Sequence, residues 1–99
     1  MNALQDLEKN ASQAAKLLKT MGNEKRLMIL CSLLNKPLSV SALNELVPLS
    51  QSALSQHLHT LREAQLVKAK KEGLSVIYSV NGDDSIKVLH VLKEIFCSE

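Results

Sequence analysis

The chain has 99 residues, of which 45% are hydrophobic and 22% charged, and its formal net charge is +2. This length suits one domain, and the composition is that of a folded protein and not of a disordered one. Aromatic residues are limited to Tyr78 and Phe96, which argues against a platform of stacked rings for single-stranded nucleic acid. We therefore expect residues 1–99 to form a single domain, whose small core would gain stability from a partner subunit.

The sequence shows no secretion signal and no membrane span. The first residues, MNALQDLEKNASQ, contain neither a basic region nor an apolar segment. The longest apolar run, LMILC, is far too short to cross a bilayer. We expect a cytoplasmic protein without a membrane partner, in which the two cysteines are kept as thiols.

Two helices are predicted at the start of the chain. Apolar residues recur at helical spacing over residues 3–20, and Gly22 follows as a helix end. Asn23 is a good N-cap for a second helix, which is predicted to run to about Leu34. The apolar face of this second helix is predicted to contain Leu27, Leu30, Cys31 and Leu34.

Two further helices are predicted on either side of the turn VPLS. The first runs from Ser39 to about Leu46, and we expect Leu43 and Leu46 to face inward. The second begins at the N-cap Ser50 and runs to about Ala64.

A hairpin and a last helix complete the prediction. Residues Leu66–Lys71 and Leu74–Val80 are predicted strands, with Gly73 in the turn between them. An acidic residue at position 83 or 84 is expected to cap a helix that ends near Cys97. The order ααααββα describes a mainly α (α+β) winged helix-turn-helix.

The fourth helix has an apolar side and a neutral polar side. At 100° per residue, Leu54, Leu58 and Leu61 share the buried side. Glutamine amides can pair with adenine, and hydroxyl groups at a helix start suit phosphate oxygens. The candidate DNA-binding residues on this helix are Ser50, Gln51, Ser52, Ser55, Gln56, His59 and Arg62.

Some residues near this surface have a second interpretation. Arg62 could reach the DNA backbone or form a surface salt bridge. His57 lies about 60° from the buried axis, so we expect it to be partly buried. We expect His59, which faces outward, to be the better candidate for DNA.

The predicted hairpin adds positive charge. The segment contains three lysines and only one carboxylate: Lys68, Lys70 and Lys71 against Glu72. Lysines that neutralise phosphates release counterions and make binding sensitive to salt. A solvated hairpin is the alternative, but together with the polar helix the lysines indicate a double-stranded DNA partner.

Three segments resemble the ArsR/SmtB family of winged-helix repressors: MGNEKRLMIL, LSVSALNELVPLSQSALSQHLHTLREAQLV and KKEGLSVIYSV. The pair Cys31 and Cys97 is most similar to the HlyU-type, metal-independent branch, whose members regulate haemolysin or virulence genes. The resemblance implies a homodimer built from the first and last helices. It also implies that the protein binds a pseudo-palindromic DNA operator and is therefore associated with the nucleoid.

The two cysteines are candidates for a redox switch. By pattern, Cys31 is expected to be a small buried hydrophobe, whereas Cys97 lies where a frayed helix end would expose it. The resemblance implies that matching thiols lie close together and can form a disulfide or polysulfide link. Regulation by a mild oxidant or by sulfur species is therefore expected.

A metal site is the weaker alternative, and we expect no cofactor. Ser39 and Ser41 stand where metal-binding family members carry thiolates, and serine is a poor ligand for soft metals. In the last helix, His90 and Glu94 are one turn apart, but the expected Asp-x-His start reads DSI.

Two other functions remain open from the sequence: a metal-responsive repressor, and a protein-interaction module that has lost DNA binding. An enzyme is not expected, because no phosphate loop and no nucleophile–base arrangement is visible.

Overall fold

The computed structural model describes residues 3–97. Residues 1, 2, 98 and 99, which the single-domain prediction includes, lie outside the described residues. In chain order the elements are α1 (Ala3–Met21), α2 (Glu24–Asn35), β1 (Leu38–Ser39), α3 (Val40–Leu46), α4 (Gln51–Glu63), β2 (Val67–Glu72), β3 (Ser75–Val80) and α5 (Asp84–Phe96). This arrangement confirms the winged helix-turn-helix, with α3 and α4 as its helix pair and β2–β3 as its wing.

The predicted order ααααββα lacked one element. Leu38 and Ser39 form the short strand β1, which pairs antiparallel with Tyr78 and Ile77 of β3. The sheet order is therefore β1-β3-β2. A two-residue strand has too little pattern to predict, because its partner across the sheet, and not its own sequence, defines it.

Side-chain caps fix the starts of three helices. Asn23 Oδ1 accepts hydrogen bonds from the backbone N–H groups of Lys25 and Arg26, at 3.0 and 3.1 Å. Ser39 Oγ accepts from the N–H of Ala42 and Ser50 Oγ from that of Ala53. The predicted caps Asn23 and Ser50 are thus confirmed, whereas Asp83 is at the N-cap of α5 without a side-chain cap bond.

The core lies where α2, α3 and α4 meet the sheet. Ile29 and Leu30 of α2, Leu43 of α3, and Leu54 and Leu61 of α4 are completely buried. Leu58 is 2% exposed, so the predicted buried side of α4 is confirmed. Burial of one such leucine contributes about 1.5–3 kcal/mol.

Two predictions about burial were wrong. Leu46 is exposed, and Val47, the C-cap of α3, is buried in its place. Cys31 is exposed and not a buried hydrophobe. Apolar residues of the segment RLMILCSLL lie around most of the helix circumference, so the spacing fits more than one buried face. In the structure the buried face consists of Ile29, Leu30 and Leu33.

The end of α4 is a complete Schellman motif. Leu66 N–H donates to Leu61 O and Gln65 N–H donates to Arg62 O, both at 2.9 Å. Gln65 has a φ of 62°, the left-handed conformation that this motif requires. The motif turns the chain from α4 directly into β2, so the helix end and the wing base are one structural unit.

None of the helices in the described part of the chain is both long and apolar enough to cross a membrane.

Candidate nucleic-acid interface

The polar side of α4 is open to solvent. Leucines hold the helix against the core through one side, which leaves the other side free. The predicted DNA-binding residues of this helix are all exposed: Ser50, Gln51, Ser52, Ser55, Gln56, His59 and Arg62. The N–H groups in the first turn of α4 that Ser50 does not cap belong to the exposed residues Gln51 and Ser52, and N–H groups at a helix start suit phosphate.

Five side chains of α4 and its N-cap already have partners within this segment. Ser50 Oγ lies 3.4 Å from Ser52 Oγ, and Thr60 Oγ1 donates to Gln56 O. His59 Nε2 lies 3.7 Å from Glu63 Oε1, with both side chains more than two-thirds exposed. An exposed pair of this kind is weak, so His59 can exchange Glu63 for another partner.

His57 has a different environment from His59. It is partly buried, as predicted, and its Nδ1 lies 3.4 Å from Arg26 Nη1 of α2. Burial, and secondly the Arg26 charge, lower the pKa of His57. At neutral pH His57 is therefore a neutral group that faces α2.

The wing is a regular hairpin with an exposed tip. Glu72 pairs with Ser75, so the turn consists of Gly73 and Leu74. Gly73 has a φ of 62°, and glycine at the first central position fits a type II′ turn. Leu74 is fully exposed at the tip.

The lysines of the wing are exposed but do not all share one face. Lys68, Lys70 and Lys71 all lie on β2. Because side chains alternate along a strand, Lys68 and Lys70 lie on one face and Lys71 on the other. A hairpin with cations on both faces can lie in a DNA groove and contact the phosphate backbone on either side of it.

Asn81 ties the wing to the end of α4. Its Nδ2 donates to Gln65 O and its backbone N–H donates to Leu66 O, both at 2.9 Å. These bonds join the end of β3 to the segment that follows α4. The angle between the polar helix and the wing is therefore fixed by hydrogen bonds.

The two cysteines lie at a second location, between α2 and α5. Both line a cavity of about 430 Å³ whose other walls are largely apolar. Leu27, Leu34 and Phe96 contribute to those walls. Cys31 is exposed overall, but the residues of the cavity wall partly shield its sulfur from water; this partial desolvation, and secondly the nearby Cys97, raise the pKa of Cys31, so its thiol is protonated at neutral pH. The structure thus brings the two predicted redox residues to one cavity, with both as free thiols.

The candidate metal ligands His90 and Glu94 are not part of a larger ligand group within residues 3–97. No group of three or more His, Cys, Asp or Glu side chains within residues 3–97 has the arrangement of a metal site.

Two residues at these sites were missed from the sequence. The pattern predicts Leu74 as the first residue of a strand, whereas in the structure Leu74 lies with Gly73 in the two-residue turn, and the adjacent glycine is the signal for that turn. Arg26 has no local signal in the sequence, because its contacts to α1 and α4 are long-range.

The polar helix, the lysine wing and their fixed angle are the features of a DNA-binding domain, and comparison with known proteins identifies the family. Residues 23–69 match the model of the bacterial regulatory proteins of the arsR family. The transcriptional activator HlyU of Vibrio cholerae is 46% identical over 94 residues, which cover 95% of this chain and 87% of that protein. The chain belongs to the ArsR family.

Solved structures agree with this assignment. Reduced HlyU from Vibrio cholerae superposes with a TM-score of 0.88 at 45% identity, covering 94% of this chain and 98% of that one. The transcriptional repressor BigR from Xylella fastidiosa gives 0.88 at 32% identity, covering 99% and 100%. This ArsR-family chain is an HlyU-like, DNA-binding transcriptional regulator and not an enzyme.

Proposed function

We propose that the chain acts as a homodimer, that it reads a pseudo-palindromic operator with α4 and the wing, and that Cys31 and Cys97 control its affinity for DNA. The exposed row of neutral hydrogen-bonding groups on α4 is the observation that carries the proposal. Amide and hydroxyl groups match base edges, whereas the leucines on the opposite side give the helix a rigid support.

The homodimer is supported by apolar side chains left exposed on the first and last helices. Leu7 and Leu18 of α1, and Val91, Ile95 and Phe96 of α5, are all more than half exposed. Exposed apolar patches of this kind mark interaction surfaces. A two-fold axis at this surface gives the dimer a second copy of α4. To reach two half-sites one DNA turn apart, the two copies of α4 must lie about 34–36 Å from each other.

Base reading is assigned to the middle of α4 and charge neutralisation to the wing. Gln56 is exposed near the centre of the helix and can form a bidentate contact with adenine. Lys68, Lys70 and Lys71 contact phosphates. The first contact sets sequence preference, and the second sets affinity and its salt dependence.

Thiol control is supported by the shared cavity. Oxidation would join Cys31 to Cys97, with loss of two protons and two electrons to an oxidant such as hydrogen peroxide, which is reduced to two water molecules. A polysulfide is the alternative oxidant: its sulfur–sulfur bond would accept the same two electrons and two protons, as when H2S2 is reduced to two molecules of hydrogen sulfide. A link would hold α5 against α2, and because α2 also packs against α4, it would change the placement of the two polar helices in the dimer. One of the similar solved structures is of a reduced relative.

The test of base reading uses two duplexes of equal length: the best binder selected from a random pool, and the unselected pool itself. Gln56→Ala should weaken binding to the selected duplex by about 1–3 kcal/mol. Binding to the unselected pool should stay unchanged. Ser12→Ala, exposed on α1 about 140° around the helix from Leu7, is the control. Equal loss on both duplexes would contradict base reading by Gln56.

A further inference from the structure

Arg26 joins three helices. It lies in the first turn of α2, and its Nε donates a hydrogen bond to Thr20 O in the last turn of α1, at 2.6 Å. Its Nη1 lies 3.4 Å from Nδ1 of His57 on α4. Last-turn carbonyls have no partner within their own helix and favour a cation, so the contact to α1 is strong.

The contact to α4 defines the state of His57. A guanidinium can only donate, so Nδ1 of His57 must accept and the ring proton must be on Nε2. The guanidinium is also planar and rigid, unlike the flexible ammonium group of lysine. With Nε held by α1, the direction in which Nη1 points is fixed, and so is the preferred position of the His57 ring.

His57 is well placed to set the rotation of α4. It lies between the buried leucines and the exposed polar side, and it directly follows Gln56 in the chain. The leucines hold the helix through apolar packing, which has no preferred direction. A hydrogen bond does have a preferred direction. Contacts to bases depend on it, because donor and acceptor must lie about 2.9 Å apart, within a few tenths of an ångström.

We propose that Arg26 is a positioning residue: by bridging Thr20 of α1 and His57 of α4, it holds the DNA-reading helix at a fixed angle to α1. The inference rests on the proposed role of α4 in DNA reading. It connects α1, part of the proposed dimer surface, to the helix that meets the bases. Arg26 thereby affects sequence preference without touching DNA.

The experiment compares the affinity of the full chain for the selected duplex and for the unselected pool. Arg26→Gln and His57→Leu should each weaken binding to the selected duplex by about tenfold, the scale expected for a directly coupled pair. Binding to the unselected pool should change by less than about twofold. The double variant should be no weaker than the weaker single variant, because both remove the same contact.

A conservative variant separates positioning from simple loss of stability. His57→Asn offers an amide oxygen to the guanidinium, so it should retain most of the affinity that His57→Leu loses. Thermal unfolding of each variant shows whether it is folded at the assay temperature. If Arg26→Gln does not fold, the comparison of Asn with Leu at position 57 decides alone, and equal affinity of those two variants would overturn the proposal.

The other outcomes are also decisive. Equal losses on both duplexes, with a smaller salt slope, would make Arg26 a phosphate contact and overturn the positioning role. Additive losses in the double variant would show that the two residues act independently. Failure of the proposed function looks different: Gln56→Ala would then leave the selected duplex unaffected. If only the positioning role is wrong, Gln56→Ala would still weaken binding to the selected duplex, whereas Arg26→Gln would leave that affinity unchanged.

Discussion

Cys31 of α2 and Cys97 at the end of α5 line one cavity, and Cys97 contributes to the raised pKa of Cys31. Partial desolvation of the Cys31 sulfur by the cavity wall is the larger cause and remains when Cys97 is replaced. Cys97→Ser should therefore lower the pKa of Cys31 part of the way toward its ordinary value. The pH dependence of iodoacetamide alkylation, followed by mass spectrometry at Cys31, measures this.

The control for the thiol measurement is a substitution away from the cavity. Ser12→Ala, on the exposed surface of α1, should leave the alkylation profile of Cys31 as in the unmodified chain. A Cys31 profile that is identical with and without the Cys97 thiol would show that the two groups do not interact.

The lowered pKa of His57 predicts a loss of stability in acid. The unfolded chain takes up a proton at this residue near pH 6.5, and the folded chain does so only at lower pH. Stability should therefore fall as the pH drops below about 6.5 toward the folded pKa. His57→Asn should remove this part of the pH dependence, as measured by urea unfolding at pH 7.5 and 5.5.

Ser12→Ala is the control for this measurement, because Ser12 is exposed on α1 and carries no ionisable group. It should leave the difference in unfolding free energy between the two pH values unchanged. If His57→Asn keeps the full acid dependence, the assigned environment of His57 is wrong.

Ser85 is the first candidate for a stabilising substitution. It is completely buried in α5, and its Oγ has no hydrogen-bond partner among residues 3–97. Ser85→Ala should raise the free energy of unfolding by about 1 kcal/mol, since an unsatisfied buried hydroxyl is removed. Ser12→Ala on exposed α1 should gain only the helix propensity, about 0.5 kcal/mol. Destabilisation by Ser85→Ala would mean that the hydroxyl is bonded in solution.

The wing lysines should act on all DNA sequences alike. Lys70→Ala and Lys71→Ala should each reduce the salt slope of binding by about 1 per protomer, equally for the selected duplex and the unselected pool. Lys16→Ala, exposed on the side of α1 opposite Leu7, should leave the slope unchanged. A loss confined to the selected duplex would make the lysine a base contact.

Much of the fold could be predicted because its signals are local. Asn23 and Ser50 are caps whose side chains bond within three residues, and Gly73 supplies the left-handed turn of the wing. The leucine spacing of α4 gave its buried side, and with it the exposed polar row. Each of these features depends on neighbours in the sequence.

The errors come from long-range contacts. Helix α2 has two apolar faces: Ile29 and Leu33 enter the core, whereas Leu27 and Cys31 line the cavity facing α5. The spacing alone does not rank these faces, because both fit a helical period. Similarly, the two polar contacts of Arg26 are with groups 6 and 31 residues away.

DNA footprinting on selected fragments, with reduced and oxidised protein side by side, tests the central claim most directly. Reduced protein should protect two half-sites with centres about 10–10.5 base pairs apart, one helical turn. Oxidised protein should lose this protection, while the Cys31→Ser variant should keep it under the same oxidant. Identical footprints before and after oxidation, with the disulfide verified by mass spectrometry, would contradict thiol control. Protection of a single unpaired half-site would contradict the dimer.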